Sequence, residues 1–283
     1  NAIIGASLGG AKTMTATSGP GFSLMQEGIG LAHMVEAPLV VVDVQRVGPS
    51  TGMPTLPAQG DILQCRSGSH GDYFPIVFYP NSVSELYRYT IEAFNAAEES
   101  LSPVILLSDG YISHLSETAD IDKVPLKQRT LEPLGALGSR HFTGLTHRGA
   151  FPRATDPEVH QEHLAKLQEK QLQVSKNYNF YEYREKEGAD TLLISFGVMS
   201  RLAYFFKNRF SLFRPIRIYP LIEELVEITE RYKNILVLEM SMGQYASELE
   251  RLLQRRVKLV PVLGGKINFK QIKKEIQWAI ESI

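Results

Sequence analysis

The sequence contains a single cysteine, Cys65, among its 283 residues. One thiol cannot form an intramolecular disulfide, and it cannot hold an iron–sulfur cluster, which takes about four thiolates. Any electron-carrying cluster that serves this protein is therefore expected on another chain. A lone cysteine is also typical of a reducing cytoplasm, and the simplest interpretation of Cys65 is a small apolar side chain in the core.

The sequence also lacks long hydrophobic runs, an excess of charge and a starting methionine. No apolar run approaches the ~20 residues that span a bilayer, and residues 1–5 lack the positive charge of a signal peptide. The 30 Lys and Arg nearly balance the 31 Asp and Glu, so no strong field directs the protein to nucleic acid or an anionic membrane. We therefore predict a cytoplasmic protein that binds neither. Because the sequence opens on a helix-like segment, we expect it to be a fragment, or a chain whose beginning is not included.

The first 110 residues alternate buried strands with helices. Strands are predicted at 13–17, 39–44, 75–79 and 103–108, the last three from continuously apolar runs. Helices are predicted from 22 to about 35 and from a capping box that begins at Ser82. Strands and helices in this order form βαβ units around a parallel sheet. The sequence therefore predicts an α/β fold.

Glycine and proline interrupt the pattern between 115 and 187, where one helix is predicted from 157 to about 173 with Asp156 as its N-cap. The α/β pattern then resumes. Strands are predicted at 191–197, 217–219, 234–239 and 257–262, and helices at 198–206, 222–231 and 244–253, with a further helix at the end. We therefore predict a first domain at 1–125, an irregular linker at 126–187 and a second domain at 188–283.

A glycine-rich turn at 16–23 joins the first strand to the first long helix. Glycines allow a close approach of the backbone to a ligand, and the N–H groups at a helix start attract negative charge. A tight turn capped by Ser18 explains the same residues without any ligand. The turn matches neither a P-loop nor the G-x-G-x-x-G motif, so nucleotide binding is not indicated.

An arginine, Arg46, follows the buried strand at 39–44, within the segment 43–55. Ligand sites in open α/β sheets lie beyond the carboxyl ends of strands, and a guanidinium can bind a carboxylate with two parallel hydrogen bonds. Arg46 is therefore a candidate for substrate binding, and the alternative is a solvated or ion-paired arginine. Further along, His70 and Asp72 could form an acid–base pair, although residues two apart more often stabilise a turn.

Four segments together resemble one known family. They are Thr-Ser-Gly-Pro-Gly-Phe-Ser-Leu-Met (17–25), Val-Gln-Arg-Val-Gly-Pro-Ser-Thr-Gly-Met-Pro-Thr (44–55), Ala-Gln-Gly-Asp (58–61) and Gly-Ser-His-Gly-Asp (68–72). In order and spacing they resemble the α subunit of 2-oxoacid:ferredoxin oxidoreductases, within the pyruvate:ferredoxin oxidoreductase superfamily and nearest to the 2-oxoglutarate type. The resemblance continues at 103–109, 143–147, 155–160 and 239–244, so it covers most of the chain.

The resemblance implies a two-domain α/β fold. The first domain is similar to the pyrimidine-binding half of a thiamine diphosphate site, and the second to the C-terminal domain of transketolase. The family oxidatively decarboxylates a 2-oxoacid to an acyl-CoA and passes the electrons to ferredoxin. Its β subunit holds the diphosphate, Mg²⁺ and the nearest iron–sulfur cluster, so no metal is expected on this chain. CoA and a 2-oxoacid, most simply 2-oxoglutarate, are the implied substrates.

The resemblance also assigns residues. Arg46 matches the arginine that contacts the substrate carboxylate in the related pyruvate enzymes. The turn of Ser18, Gly19, Pro20 and Gly21 is expected to line the cofactor pocket. Thr51, Asp61 and His70 are expected near the same site.

The sequence departs from the family in one respect. Family members carry a Tyr-Pro-Ile-Thr-Pro-like segment and a cofactor-activating glutamate before the position of Asn1, and neither is present in these 283 residues. Two alternatives stay open, and the missing glutamate bears on the second of them. One is a different thiamine-dependent enzyme, such as a transketolase-like or decarboxylase subunit, and the other is a non-catalytic scaffold.

Overall fold

The computed structural model describes residues 1–121, 123–136 and 140–281. In the first 110 residues the elements are α1 (Ala2–Leu8), β1 (Met14–Thr17), α2 (Pro20–Met34), β2 (Leu39–Val47), β3 (Met53–Pro57), α3 (Ile62–Ser67), β4 (Ile76–Phe78), α4 (Val83–Ser100) and β5 (Pro103–Asp109). The later elements are β6 (His147–Arg148), β7 (Phe151–Pro152), α5 (Pro157–Lys176), β8 (Tyr181–Arg184), β9 (Thr191–Ser195), α6 (Gly197–Ala203), β10 (Ser211–Pro215), β11 (Arg217–Tyr219), α7 (Glu224–Thr229), β12 (Asn234–Glu239), α8 (Gln244–Leu253), β13 (Lys258–Pro261) and α9 (Phe269–Glu281).

The first sheet has the strand order β1-β2-β5-β4-β11, and β3 pairs with the end of β2. Strands β1, β2, β5 and β4 are parallel, whereas β11 and β3 run antiparallel to their neighbours. The carboxyl ends of the parallel strands meet at one edge of the sheet. The segments after β1 and β2, which carry the predicted site residues, therefore lie side by side.

Strands β2 and β5 are buried on both faces, which explains their continuous apolar runs. Val40, Val104 and Leu106 point to one face and belong to the core beneath α4. Val41 and Ile105 alternate with them and point to the opposite face, in the core shared with α2 and the second sheet. Because side chains alternate along a strand, every residue of these runs has an apolar environment.

The predicted helix caps are present. Ser82 Oγ accepts a hydrogen bond from Glu85 N at 3.2 Å, and Asp156 Oδ1 accepts one from Val159 N at 3.1 Å. In a full capping box the Glu85 carboxylate would accept from the Ser82 N–H, but here it accepts from Asn81 N at 2.9 Å. Each cap satisfies backbone donors that the first turn of the helix leaves free.

The second sheet has the order β13-β12-β9-β10-β8 and is parallel except for β8, which pairs antiparallel with β10. Its core is continuous with that of the first sheet. The ring of Phe196, just after β9, lies 5.9 Å from the Tyr79 ring of the first sheet and 4.9 Å from the Tyr245 ring of α8. The two sheets therefore share one apolar interior.

Several strands differ from the sequence-based expectation, and the short strands β3, β6 and β7 were not predicted. Strand β11 was expected among the strands of the second domain, yet it completes the first sheet beside β4. Strand β8 lies in the segment predicted as a linker, and β10 was not predicted. The division at 125 and 187 stays a prediction, and residues 282–283 of its last domain lie outside the described residues. None of the helices in the described ranges is long and apolar enough to cross a lipid bilayer.

Candidate active site

A cavity of about 800 Å³ opens at the carboxyl edge of the first sheet, against the second sheet. The turn before α2, the end of β2 and the segment before α3 form its wall on one side, and the segment between β12 and α8 forms the other. The predicted residues that line it are Gly19, Pro20, Arg46 and Asp61. The cavity therefore contains part of three of the four sequence motifs, those at 17–25, 44–55 and 58–61.

The turn before α2 is held close to the sheet. Helix α2 begins at Pro20 with Gly19 as its cap residue, rather than Ser18, and no side chain caps it. A Cβ on Gly21 would overlap Thr17 Oγ1, so a glycine is required there. Gly19 N donates a hydrogen bond to Asp43 Oδ1 of β2 at 3.2 Å.

Arg46 extends from the end of β2 toward the same turn. A Cβ built on Gly19 would lie 3.6 Å from Arg46 Nε, so the guanidinium lies beside the turn. Arg46 Nε is buried and has no hydrogen-bond partner, and no carboxylate of the described ranges forms a salt bridge with this side chain. An unpaired guanidinium in a cavity favours binding of an anion, because buried donors are costly when left unsatisfied.

The Gly-Pro-Ser-Thr-Gly part of the second motif is a tight hairpin between β2 and β3, with Val47 opposite Met53. A Cβ on Gly52 would overlap the Val47 carbonyl oxygen, which explains the glycine. Thr51 is exposed at the hairpin tip, whereas its neighbour Ser50 lines the cavity. The structure therefore places Thr51 beside the cavity rather than in its wall.

Two carboxyl groups lie behind Arg46. Asp43 is fully buried and Asp61 is half-buried at the cavity wall. Burial raises the pKa of Asp43 well above its usual range, and the adjacent charge of Asp61 adds to this rise. Burial also raises the pKa of Asp61, although its hydrogen bond with Asp43 and the positive charge of Arg46 oppose the change. Both shifts favour a protonated form of the pair over two ionised carboxylates.

The Ala-Gln-Gly-Asp motif connects the two sheets. Gln59 is fully buried, and its Oε1 accepts from Met240 N at 2.7 Å while its Nε2 donates to Phe196 O at 2.8 Å. Gln59 N also donates to Met240 O at 2.9 Å. Gln244 Nε2 donates to Gly60 O at 2.5 Å. These bonds fix the segment after β12 against the first sheet and so define the far wall of the cavity.

His70 lies in a different place. It is exposed and lines a second cavity of about 450 Å³, together with His33 and Gln171. His70 precedes β4, so it belongs to the amino edge of the sheet, opposite Arg46. Ser18 and Gly21 belong to the turn beside the first cavity but do not line it.

Sequence reasoning did not propose Asp43 as a site residue, although one signal was present. A carboxylate in the middle of a continuously apolar strand is rare unless it has a dedicated partner. Gln64, Ser241 and Gln244 also line the cavity without having been proposed. Their polar side chains gave no comparable signal, because they lie in segments with other polar residues.

Comparison with known proteins gives a family. Residues 1–182 match the family described as pyruvate flavodoxin/ferredoxin oxidoreductase, thiamine diphosphate-binding. The 2-oxoglutarate synthase subunit KorA of Methanothermobacter marburgensis is 40% identical over 301 residues, which cover 94% of this chain and 80% of that protein. The ketoisovalerate oxidoreductase subunit VorB of the same organism is 34% identical over 277 residues, with 94% and 78% covered.

Comparison with solved structures supports the same family. The 2-oxoglutarate:ferredoxin oxidoreductase of Magnetococcus marinus superimposes with a TM-score of 0.85 at 29% identity, covering 99% of this chain and 55% of that chain. A transketolase from Leishmania mexicana gives a TM-score of 0.50 at 9% identity, with 96% and 34% covered, which shows a shared fold alone. These comparisons favour neither the transketolase-like enzyme nor the scaffold. The chain belongs to the thiamine diphosphate-binding family of pyruvate flavodoxin/ferredoxin oxidoreductases, as an α subunit of the 2-oxoacid:ferredoxin oxidoreductase type.

Proposed function

We propose that this chain supplies the substrate-binding half of an enzyme that oxidatively decarboxylates 2-oxoglutarate to its acyl-CoA, with ferredoxin as the electron acceptor. The observation that carries the proposal is the unpaired Arg46 guanidinium in the cavity beside Gly19. A 2-oxoacid presents a carboxylate next to its reacting carbon. A guanidinium fork that binds this carboxylate fixes the position of the carbon without any contact to it.

The cavity fits the pyrimidine half of thiamine diphosphate. Its volume of about 800 Å³ exceeds that of a single substituted ring, and it offers both apolar and hydrogen-bonding side chains. Pro20 and Leu24 provide apolar surface, while Gln64 and Asp61 provide polar atoms for an aminopyrimidine. When bound, this cofactor supplies the electron sink for loss of carbon dioxide. The residues of this chain orient it, exclude water and hold the substrate carboxylate.

The rim of the cavity is apolar and exposed. Leu24, Met242 and Leu263 line it and are 88%, 85% and 70% exposed. Large exposed apolar side chains grouped around a cavity are typical of a protein interface. We therefore place the β subunit on this rim, where it would contribute the diphosphate site, Mg²⁺ and an iron–sulfur cluster. With one cysteine in its sequence, this chain has too few thiolates for such a cluster.

A substrate panel tests the proposal. The full-length α subunit, assembled with its β subunit, is assayed with CoA, ferredoxin and each of 2-oxoglutarate, pyruvate and a branched-chain 2-oxoacid. We expect the highest kcat/KM for 2-oxoglutarate. A higher value for another 2-oxoacid would correct the substrate while leaving the reaction type in place. No turnover of any 2-oxoacid by the complete enzyme would disprove the proposed function.

A further inference from the structure

The pair formed by Asp43 and Asp61 is the strongest feature that the proposed function leaves unexplained. Asp43 is fully buried in the middle of the first sheet, and Asp61 is the last residue of the Ala-Gln-Gly-Asp motif that joins the two sheets. The two carboxyl groups lie within hydrogen-bonding reach of each other. The positive charge of Arg46 also acts on Asp61, where it opposes the rise in pKa. The pair therefore contacts the glycine turn through Gly19 N and lies close to Arg46.

The two carboxyl groups have more buried acceptor oxygens than the surrounding donors satisfy. Asp43 Oδ1 accepts from Gly19 N, but Asp43 Oδ2 and Asp61 Oδ2 are both buried and accept no hydrogen bond within the described ranges. Ionised carboxylates only accept, so two buried oxygens without donors on interacting carboxylates would be strongly unfavourable. A proton held between them satisfies both oxygens at once.

We propose that Asp43 and Asp61 share one proton, and that this proton keeps the Arg46 guanidinium available to the substrate carboxylate. With one proton the pair carries a single negative charge, which Arg46 balances. Without it, two negative charges would face one positive charge, and the site would repel an anion. The effect on Arg46 and the substrate carboxylate rests on the proposed function, whereas the shared proton does not.

The neighbouring titratable groups are all consistent with a single negative charge. Cys65 of α3 and Tyr79, just after β4, both face the pair. Burial raises the pKa of each, and the negative charge of Asp43 contributes to both increases. Both groups are therefore neutral near pH 7. Arg46, at the end of β2, is the cation that faces the pair among the described residues.

In this arrangement Asp43 is a positioning residue. It holds the glycine turn through Gly19 N, and it acts on Arg46 through Asp61. Asparagine at position 43 would preserve both contacts, because its amide oxygen can accept from Gly19 N and its NH₂ group can donate to Asp61. It cannot lose a proton in the accessible pH range. Leucine would remove both contacts. Comparing Asp43→Asn with Asp43→Leu therefore separates the loss of the titratable proton from the loss of the two hydrogen bonds.

Infrared spectroscopy tests the shared proton directly. The assembled enzyme at pH 7 is compared with its Asp43→Asn variant in a difference spectrum. We expect the C=O stretching band of a protonated carboxylic acid in the unaltered enzyme and its loss in the variant. Absence of that band from the difference spectrum would overturn the shared proton. Because the measurement needs no turnover, it remains decisive even if the proposed reaction is wrong.

Kinetics test the effect on Arg46. In the unaltered enzyme, KM for the 2-oxoacid should rise as the shared proton is lost at alkaline pH, by up to about tenfold per pH unit. In Asp43→Asn the same rise should be absent. At pH 7 we expect Asp43→Leu to raise KM by roughly tenfold or more and Asp43→Asn by about twofold at most. Equal alkaline rises in the unaltered enzyme and Asp43→Asn would overturn this half of the inference.

Discussion

The contact between the two sheets uses arginine in opposite ways at its two ends. At one end Arg214 of β10 is buried and donates to Glu85 of α4 at 2.6 and 2.9 Å and to Glu182 of β8 at 3.0 Å. At the other end Arg46 faces a cavity and has no carboxylate partner within salt-bridge distance among the described residues. We refer to these as the paired end and the open end.

The difference separates a structural arginine from one that is free to bind. Burial acts to lower the pKa of Arg214, but its ion pairs with Glu85 and Glu182 raise it above the ordinary value. Its donors are used, so it has little capacity for a ligand. Arg46 keeps an unused buried donor, and an approaching anion can satisfy it. The same residue type therefore serves stability at one end and recognition at the other.

The largest effect is expected at the open end. In the assembled enzyme, Arg46→Ala should raise KM for the 2-oxoacid and lower kcat/KM by roughly 30- to 1,000-fold. This corresponds to a loss of about 2–4 kcal/mol of transition-state stabilisation, because a charged carboxylate contact is lost. Thermal stability should change much less than kcat/KM, since Arg46 forms no hydrogen-bonded ion pair among the described residues and acts on Asp61 only through its charge. Arg46→Lys is the control, and it should recover only part of the loss because it lacks the planar fork. Unchanged kinetics in Arg46→Ala would remove Arg46 from the site.

At the paired end the expected effect falls on stability. Arg214→Met should lower the free energy of unfolding by about 2–3 kcal/mol, because Glu85 is left without its buried partner while the more exposed Glu182 returns to water. The matched control is Arg256→Met on the surface, where the change should stay within about 0.5 kcal/mol. Urea unfolding measures both. Equal stability of the two variants would contradict the distinction between the ends.

Gln59 hydrogen-bonds the first sheet's side of the cavity to the segments after β9 and β12. Gln59→Leu should cost about 2 kcal/mol, because Met240 N and Phe196 O lose their side-chain partner in a buried environment. It should also lower kcat/KM, since the far wall of the cavity is no longer fixed. Gln271→Leu, at an exposed position of α9, is the control. Full activity and stability of Gln59→Leu would show that the walls are held by other contacts.

The smallest effect is expected at the start of α4, beside the paired end. Ser82→Ala removes the hydroxyl that accepts from Glu85 N and should cost about 1 kcal/mol of stability. Ser84→Ala, two residues further along the same turn, should cost nothing because alanine is the better helix former. Thermal unfolding of the two variants decides whether the cap contributes as described.

The sequence predicted the parallel core of the fold because its signals are local. Continuous apolar runs identified β2 and β5, and polar residues at helix starts identified the caps at Ser82 and Asp156. Strand β11 was assigned to the other sheet because pairing partners are not encoded in the strand itself. It pairs antiparallel with β4, which is more than a hundred residues away. Long-range pairing of this kind leaves no periodic signature.

The site was predictable to the extent that it depends on strand ends. Residues after β1 and β2 had to meet at one edge of a parallel sheet, and Gly19 and Arg46 do meet there. His70 was expected near the same site from the family resemblance, but it precedes a strand, and the structure has it in the second cavity. The contribution of Asp43 could not be predicted, because it depends on a contact with Asp61 that only the folded chain creates.

The position of β11 bears on how the protein is made. Strand β4 ends at Phe78, but its outer edge is not covered until β11 is in place, and β11 ends at Tyr219. On the ribosome, the nascent chain therefore exposes an unpaired edge while some 140 further residues are synthesised. Exposed edges promote association with other chains. The edge of β4 can therefore be covered only after the chain has been synthesised through Tyr219.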